Sequence, residues 1–413
     1  MSHGNSTWVL GRQYLLFGEK SYFGTIKIVP ISGVFPLERS IAVVDGKENM
    51  KEKSIIVDSV ILKKLIKMVS LFMLSTVGEN SDKVVYLQFA NKKCNLYLEN
   101  QFSSFDYYFD VQMDEIEQTI ILDAKTFCEI VKNSNGNIIL DIATDYANFK
   151  FGKSQYKIPL LKERLNKIDR KKDFLSIDLD IEWLNYKISC VSQCLAKDDM
   201  VPALEHVYFY DDLIVATDSI YGAVSRYKTI SKFNGHTLSK NALSLISALP
   251  IGKIKAGFSD NIFVGETDNM YIQISCDGVE YPISQISSII DKVDNITKSK
   301  VSLTFSPVEI EEAINRLCYF VDKDTPFIRM TVNKEDNVID LFVNNHDSQG
   351  HEMVSISVDK MIADYSIMLD GKALAKTLKA LGGGECHLFS DGNNGVQYLT
   401  DFETYIFFFG TDK

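Results

Sequence analysis

No stretch of this 413-residue sequence runs 18 apolar residues without interruption, so no membrane-spanning helix is expected. The first residues, MSHGNSTWVLGRQYLLFG, lack the basic start of a secretory leader, and their apolar run is broken at Gly11, Arg12 and Gln13. Cysteine is sparse: seven residues, odd in number and scattered, which points to reduced thiols in a reducing, cytoplasmic compartment. The six histidines, His3, His206, His236, His346, His351 and His387, show no metal-ligand spacing. Walker sequence, nucleophile elbow and acid/base pair are all missing, so the expectation is a non-enzyme without metal or cofactor. Positive charge is also in deficit: 44 Lys and Arg against 55 Asp and Glu leave a net charge of −11. That excludes a uniformly basic nucleic-acid binder and makes the distribution of charge the deciding question.

Three local features invite a chemical reading and are better read as structure. Cys190 and Cys194 sit one helical turn apart with no second ligand pair nearby, as core cysteines would. Asp178 and Asp180 read as a strand end and a helix N-cap rather than a metal pair. Gly382-Gly383-Gly384 follows a helix, whereas a phosphate-binding loop would precede one.

What is present is repetition. Length alone predicts two or three domains, and the 46% apolar content is that of a globular chain. Three segments share a pattern: they begin at Ile121, Thr237 and Met368, and each has a leucine (Leu122, Leu238, Leu369) followed by Asp or Ser as an N-cap. About three helical turns and a strand hairpin follow each cap. Upstream of each lies a second shared half: a helix (Asp58–Ser75, Asp180–Lys197, Ser306–Val321) and then a strand–turn–strand segment from Val85, Val207 or Arg329. The predicted unit is strand, helix, hairpin, strand, helix, hairpin, at 53–168, 169–292 and 293–413. Residues 1–52 fall outside the repeat and read as a β extension, and Lys162–Lys172 reads as a charged linker.

Three tandem copies of a two-helix, two-hairpin unit resemble the bacterial sliding clamp, the β subunit of the replicative DNA polymerase. The central stretch LIVATDSIYGAV (Leu213–Val224) is similar to that family's second-domain signature, V-A-T-D-G-H-R-L-A. Thr217 and Asp218 stand as in the family, while Ser219, Ile220, Tyr221 and Gly222 replace Gly-His-Arg-Leu. VPALEHV (Val201–Val207) is similar to R-P-x-L-x-G followed by an apolar residue, and Tyr281-Pro282 resembles a Phe-Pro. TYIFFFG sits where clamps end in a short apolar strand. The resemblance covers roughly residues 53–413, and the departures together with the N-terminal extension suggest a phage-encoded member.

The resemblance implies an α+β fold of three tandem clamp domains, each with two helices packed on antiparallel sheets. Two subunits would pair head to tail as a homodimeric ring, helices toward an encircled double-stranded DNA and sheets outside. Such a protein has no catalytic residue, cofactor or metal, and no membrane association. Its other partners would be a DNA polymerase and a clamp loader, held through short peptide motifs. The implied peptide site comprises Leu204, Thr217, Ser219, Ile220, Tyr221, Pro282, Ile286, Ile406, Phe408 and Phe409. The changed Ser219–Gly222 segment implies a partner peptide different from the usual bacterial one. It also leaves an alternative, an adaptor on the same scaffold that tethers transcription or recombination proteins.

The residues offer a test of the DNA-facing side. In the first helix Ile61, Leu65, Met68 and Phe72 form an apolar stripe, and Lys63, Lys64 and Lys67 lie opposite. In Asp370–Leu381 the lysines Lys372, Lys376 and Lys379 repeat the spacing of Leu374, Leu378 and Leu381 two residues out of phase. The corresponding positions are Lys125, Glu129 and Lys132 in the first unit, and Asn241, Leu245 and Ala248 in the second, where the pattern fails. Glu309, Glu311 and Glu312 also oppose it on the 306–321 helix. The six helical segments together carry +3, so the rest of the −11 chain carries −14. A mildly positive helical lining on an acidic body suits weak phosphate contacts that hold DNA without reading sequence. The candidate DNA-binding residues are Lys63, Lys64, Lys67, Lys125, Lys132, Lys187, Lys197, Lys240, Arg316, Lys372, Lys376 and Lys379.

Overall fold

A computed structural model describes residues 14–15, 29–30, 53–74, 83–100, 103–114, 117–162, 167–196, 201–218, 221–280, 287, 290–291, 293, 295–321, 326–345, 348–362, 364–381, 384–392 and 396–409. The chain divides into two compact units, Met1–Lys51 and Glu52–Lys413. In the first, strands β1 (Tyr14–Leu15) and β2 (Val29–Pro30) pair antiparallel, with Tyr14 opposite Pro30.

The second unit writes one element order three times. The first copy runs β3 (Lys53–Asp58), α1 (Ser59–Leu74), β4 (Val84–Ala90), β5 (Lys93–Glu99), β6 (Ser104–Asp110), β7 (Gln118–Asp123), α2 (Ala124–Asn133), β8 (Asn137–Ile142), β9 (Tyr146–Phe151) and β10 (Ser154–Pro159). The second runs β11 (Ile177–Asp180), α3 (Ile181–Ser192), β12 (His206–Tyr210), β13 (Leu213–Thr217), β14 (Tyr221–Arg226), β15 (Thr237–Ser239), α4 (Lys240–Ser247), β16 (Lys253–Ser259), β17 (Ile262–Thr267) and β18 (Met270–Ser275). The third runs β19 (Val301–Phe305), α5 (Pro307–Leu317), β20 (Phe327–Asn333), β21 (Val338–Asn344), β22 (Gln349–Ser355), an added β23 (Ser357–Met361), β24 (Tyr365–Asp370), α6 (Gly371–Ala380), β25 (Cys386–Ser390), β26 (Val396–Thr400) and β27 (Thr404–Phe409). Each expected two-stranded hairpin is thus a three-stranded meander. At two junctions the third strand of a meander pairs with the third strand of another copy, β6 with β18 and β14 with β27.

Local chemistry starts the helices where caps were expected. Asp123, Asp180, Ser239 and Asp370 each accept a hydrogen bond from a first-turn amide of α2, α3, α4 and α6. Ser306 makes no such bond; Pro307 opens α5 with a preset φ and no amide to satisfy. α3 stops at Ser192, five residues short of the expected end, and Cys194, Leu195 and Ala196 beyond it are buried.

The sheets do not respect the copies. An eight-stranded sheet has the order β11-β16-β17-β18-β6-β5-β4-β7 and joins the second copy to the first through β18 and β6, with Ile272 opposite Phe105. A nine-stranded sheet has the order β15-β12-β13-β14-β27-β26-β25-β19-β23 and joins the second copy to the third through β14 and β27. Two four-stranded sheets remain, β10-β9-β8-β3 and β22-β21-β20-β24.

The expected linker is docked rather than free. Its cations Lys167 (2.9 Å) and Arg170 (2.8 Å) both reach Asp106 on β6, which is 1% exposed and also accepts from Asn95 Nδ2. The backbone amide of Lys171 donates to Tyr271 Oη on β18, so this segment straps the first junction on both sides.

One continuous core fills the space between helices and sheets, from Ile55 to Phe408. A second, smaller cluster lies elsewhere and includes Tyr208, Val215, Val224, Tyr398 and Phe407. All seven cysteines are free thiols, and six are buried. Burial pushes Cys276 and Cys386 up to about 12, so these thiols are protonated and inert at neutral pH.

Candidate nucleic-acid interface

The helices form one row. α1 packs on α2 and α4, α3 packs on α4 and α6, and α5 packs on α6, which gives the spatial order α2-α1-α4-α3-α6-α5. Their apolar residues turn toward the sheets. On α6, Leu374 and Leu378 are buried while Lys372, Lys376 and Lys379 are exposed. On α1, Leu62, Leu65, Met68, Val69 and Phe72 are buried and Ile61 only partly so; Lys64 and Lys67 are exposed and Lys63 half-buried. Lys63 Nζ donates to Asn135 Oδ1 (3.3 Å) and Lys67 Nζ to the Ser247 carbonyl (3.4 Å), at the boundaries with α2 and α4. Lys125 and Lys132 are exposed on α2. Lys240 opens α4, half-buried, donating to the Ala196 carbonyl and 3.7 Å from Glu205. Lys240 and Lys376 line one groove of about 360 Å³ together with Ser192, Gln193 and Ser244, where α3, α4 and α6 meet.

Two residues of the expected DNA-facing set are placed otherwise. Lys187 is fully buried: its ammonium pairs with Glu403 and lies 4.6 Å from the Trp183 ring centre. It cannot reach a phosphate. The 3.6-residue period puts position 187 beside Leu184 and Ile188 on the core face, which charge counting ignores. Arg316 is exposed but held by both oxygens of Glu352 (2.8 and 2.9 Å), which raises its pKa and takes up two of its five donors. Lys197 lies outside the described residues.

The implied peptide site comes together only in part. Thr217 Oγ1 donates to the Tyr221 carbonyl (2.7 Å), and the Tyr221 amide donates to Asp218 Oδ1 (2.6 Å), so Thr217 and Asp218 build the β13–β14 turn. Burial, then the charges of Asp370 and Asp218, raise the Tyr221 phenol well above its ordinary range. Leu204 is buried beside this sheet. Ile406 and Phe408 belong to the core under the helices, so the assignment of these two to a surface groove is corrected. Strand alternation places Phe407 on the opposite face, directly over Gly222. Ser219, Ile220, Pro282, Ile286 and the side chain of Phe409 lie outside the described residues.

Among the described residues no group of His, Cys, Asp or Glu could hold a metal ion. Asp178 faces Lys255 across β11–β16, and Asp180 caps α3. No helix among the described residues is long and apolar enough to cross a membrane.

No family model and no curated protein matches the sequence. Solved structures do. The DNA polymerase III β subunit of Thermotoga maritima aligns with a TM-score of 0.73 over 87% of this chain and 100% of that one, at 13% identity. The β subunit of Borrelia burgdorferi gives 0.75 over 88% and 99%, at 16% identity. The β sliding clamp of C. crescentus gives 0.73 over 87% and 99%, at 14% identity.

The fold is that of a bacterial sliding clamp.

Within this clamp fold, sequence reasoning missed Phe407 and the docked segment around Lys167 and Arg170. Strict alternation counted inward from Gly222 would have found the first. The second carries no local signal, since Asp106 lies 61 residues from Lys167.

Proposed function

We propose that the protein is a DNA sliding clamp, a processivity factor that encircles duplex DNA and tethers replication proteins. Its three domains are the three copies, 53–168, 169–292 and 293–413. The observation that carries the reading is the arrangement of sheet edges. Twice within the chain, the strand that closes one copy's second half pairs with the strand that closes the preceding copy's first half: β18 with β6, and β27 with β14. By the same rule β10 of the first copy and β22 of the third await each other, and each is the edge of its four-stranded sheet. A head-to-tail pair of chains satisfies both edges at once and removes two templates for aggregation. The row of six described helices then lines the closed path. Lys64, Lys67, Lys125, Lys132, Lys372, Lys376 and Lys379 are exposed along it as phosphate contacts that carry no sequence information.

The tethering site is the outer side of the β14–β27 junction. There Gly222, where the resemblance implies a leucine, faces Phe407 across the junction, which supports a partner peptide of altered shape.

Loading onto circular and linearised duplex tests the reading. The protein is expected to stay on a nicked circle through a high-salt wash and to be lost when the circle is cut. Equal loss from circle and line would overturn it, since contacts without encirclement cannot tell the two apart.

A further inference from the structure

One aromatic pair in the helix row stands largely outside the core. Trp183 and Tyr186 lie on α3, 43% and 36% exposed, while Ile181, Leu184, Ile188 and Val191 of the same helix fill the core. Their rings stack with centres 5.3 Å apart and planes at 28°. The pair is supported from beneath. The buried Lys187 ammonium lies 4.6 Å from the Trp183 ring centre and 5.6 Å from that of Tyr186, and Glu403 of the β26–β27 loop pins it there. A cation this close to both rings holds them in place, and both side chains keep exposed surface. Six residues further along α3, about 9 Å at 1.5 Å per residue, is the groove that Lys240 and Lys376 share with Ser192. The stacking surface on α3 thus lies within two helical turns of a groove to which α6 contributes the exposed Lys376. Glu182 is the acidic group exposed on the same helix, and its place in the first turn lets the helix dipole offset it.

We propose that Trp183 and Tyr186 form a stacking platform for unpaired nucleobases, so that the helix row takes single-stranded DNA as well as duplex. The occupant follows from the chemistry. Stacked, exposed aromatic faces beside backbone-neutralising lysines are what sequence-tolerant single-strand binding requires, because every base presents a π-face. In duplex the bases are already stacked on each other and leave such a platform unused. The proposal rests on the reading of the helix row as the DNA-facing side, and goes beyond it in assigning a second form of DNA and its contact residues.

The sequence contains two tryptophans, Trp8 and Trp183, so a Trp8→Phe protein reports on Trp183 alone. Titration with oligo-dT, followed by tryptophan emission, is expected to quench Trp183, and blunt duplex of equal length to quench it far less. Affinity for oligo-dT, measured by anisotropy of a labelled strand, should fall about 5- to 150-fold in Trp183→Ala and Tyr186→Ala and be largely kept in Trp183→Phe. Trp183 and Tyr186 are partly exposed, so the variants should keep the wild-type circular dichroism, and Trp183→Phe controls for any loss of fold. Absence of quenching, equal quenching by duplex, or unchanged oligo-dT affinity in both alanine variants would overturn the platform. Retention of the same variants on circular duplex reports separately on encirclement. Loss of oligo-dT binding with duplex retention intact supports the platform; normal retention with no oligo-dT quenching sinks the platform alone.

Discussion

Gly222 and Phe407 face each other across the β14–β27 junction, where the backbone and the ring meet without room for a methyl group. A Cβ built on Gly222 would lie 1.8 Å from Phe407 Cζ, 2.4 Å from Cε2 and 2.6 Å from Cε1. Carbon atoms prefer about 3.5–4.0 Å, so the ring must retreat by about 2 Å. Phe407 is only 7% exposed and is enclosed by Tyr208, Val215, Val224 and Tyr398, which leaves little room to retreat. Gly222→Ala should therefore cost about 1–3 kcal/mol by overpacking. Phe407→Ala removes the ring and should cost about 3 kcal/mol, the low end for a buried phenylalanine because this cluster is thin. In the double variant the new methyl enters the space the ring has left. The combined cost should fall short of the sum by at least about 1 kcal/mol. Native-state hydrogen exchange of the β14 and β27 amides measures the local opening free energy without assuming two-state unfolding of a three-copy chain. Costs that add to within about 0.5 kcal/mol would refute the contact as the reason for glycine at 222.

Two further predictions concern buried carboxylates. Asp106 is buried, whereas its cations Lys167 and Arg170 are 36% and 37% exposed. Asp106→Ala frees both cations into water and should cost about 2–3 kcal/mol; the double Lys167→Met, Arg170→Met strands a buried anion and should cost about 3–5 kcal/mol. The reverse order, read from exchange of the β6 and β18 amides, would count against the strap. Burial raises the pKa of Asp141 on β8, but the Lys150 ammonium and the Ser54 hydroxyl (2.6 Å) more than offset this, and the net shift is downward from 3.8. A depressed folded-state pKa contributes stability that is complete above the unfolded pKa of about 4 and is lost as pH falls through the folded value. The stability gap between wild type and Asp141→Asn should accordingly be full at pH 7 and shrink as the pH is taken below 4, in urea titrations; a gap unchanged at pH 2 would refute the pairing.

The parts of the fold legible in the sequence are those fixed within a few residues. Asp123, Ser239 and Asp370 announce helices because a cap acts on amides two or three positions away. The lysines of α6 could be assigned to the exposed side because a helical period sorts them from Leu374 and Leu378. What stayed hidden is long-range. Lys187 reads as one more helix cation until Glu403, 216 residues on, closes over it. Ile406 and Phe408 were set on the wrong face because an apolar run of alternate-facing residues gives no phase by itself; pairing with β14 supplies the phase. The joining of copies through β18–β6 and β14–β27 is likewise a matter of registers between strands more than 150 residues apart.

The closed-ring account is tested most directly by the mass of the particle in solution. Sedimentation equilibrium at micromolar concentration should give twice the 46.7 kDa of one chain, and a proline placed at Gln155, the second residue of the β10 edge, should shift the population toward single chains. A wild-type protein that sediments at 46.7 kDa throughout, with β10 and β22 left unpaired, would contradict it.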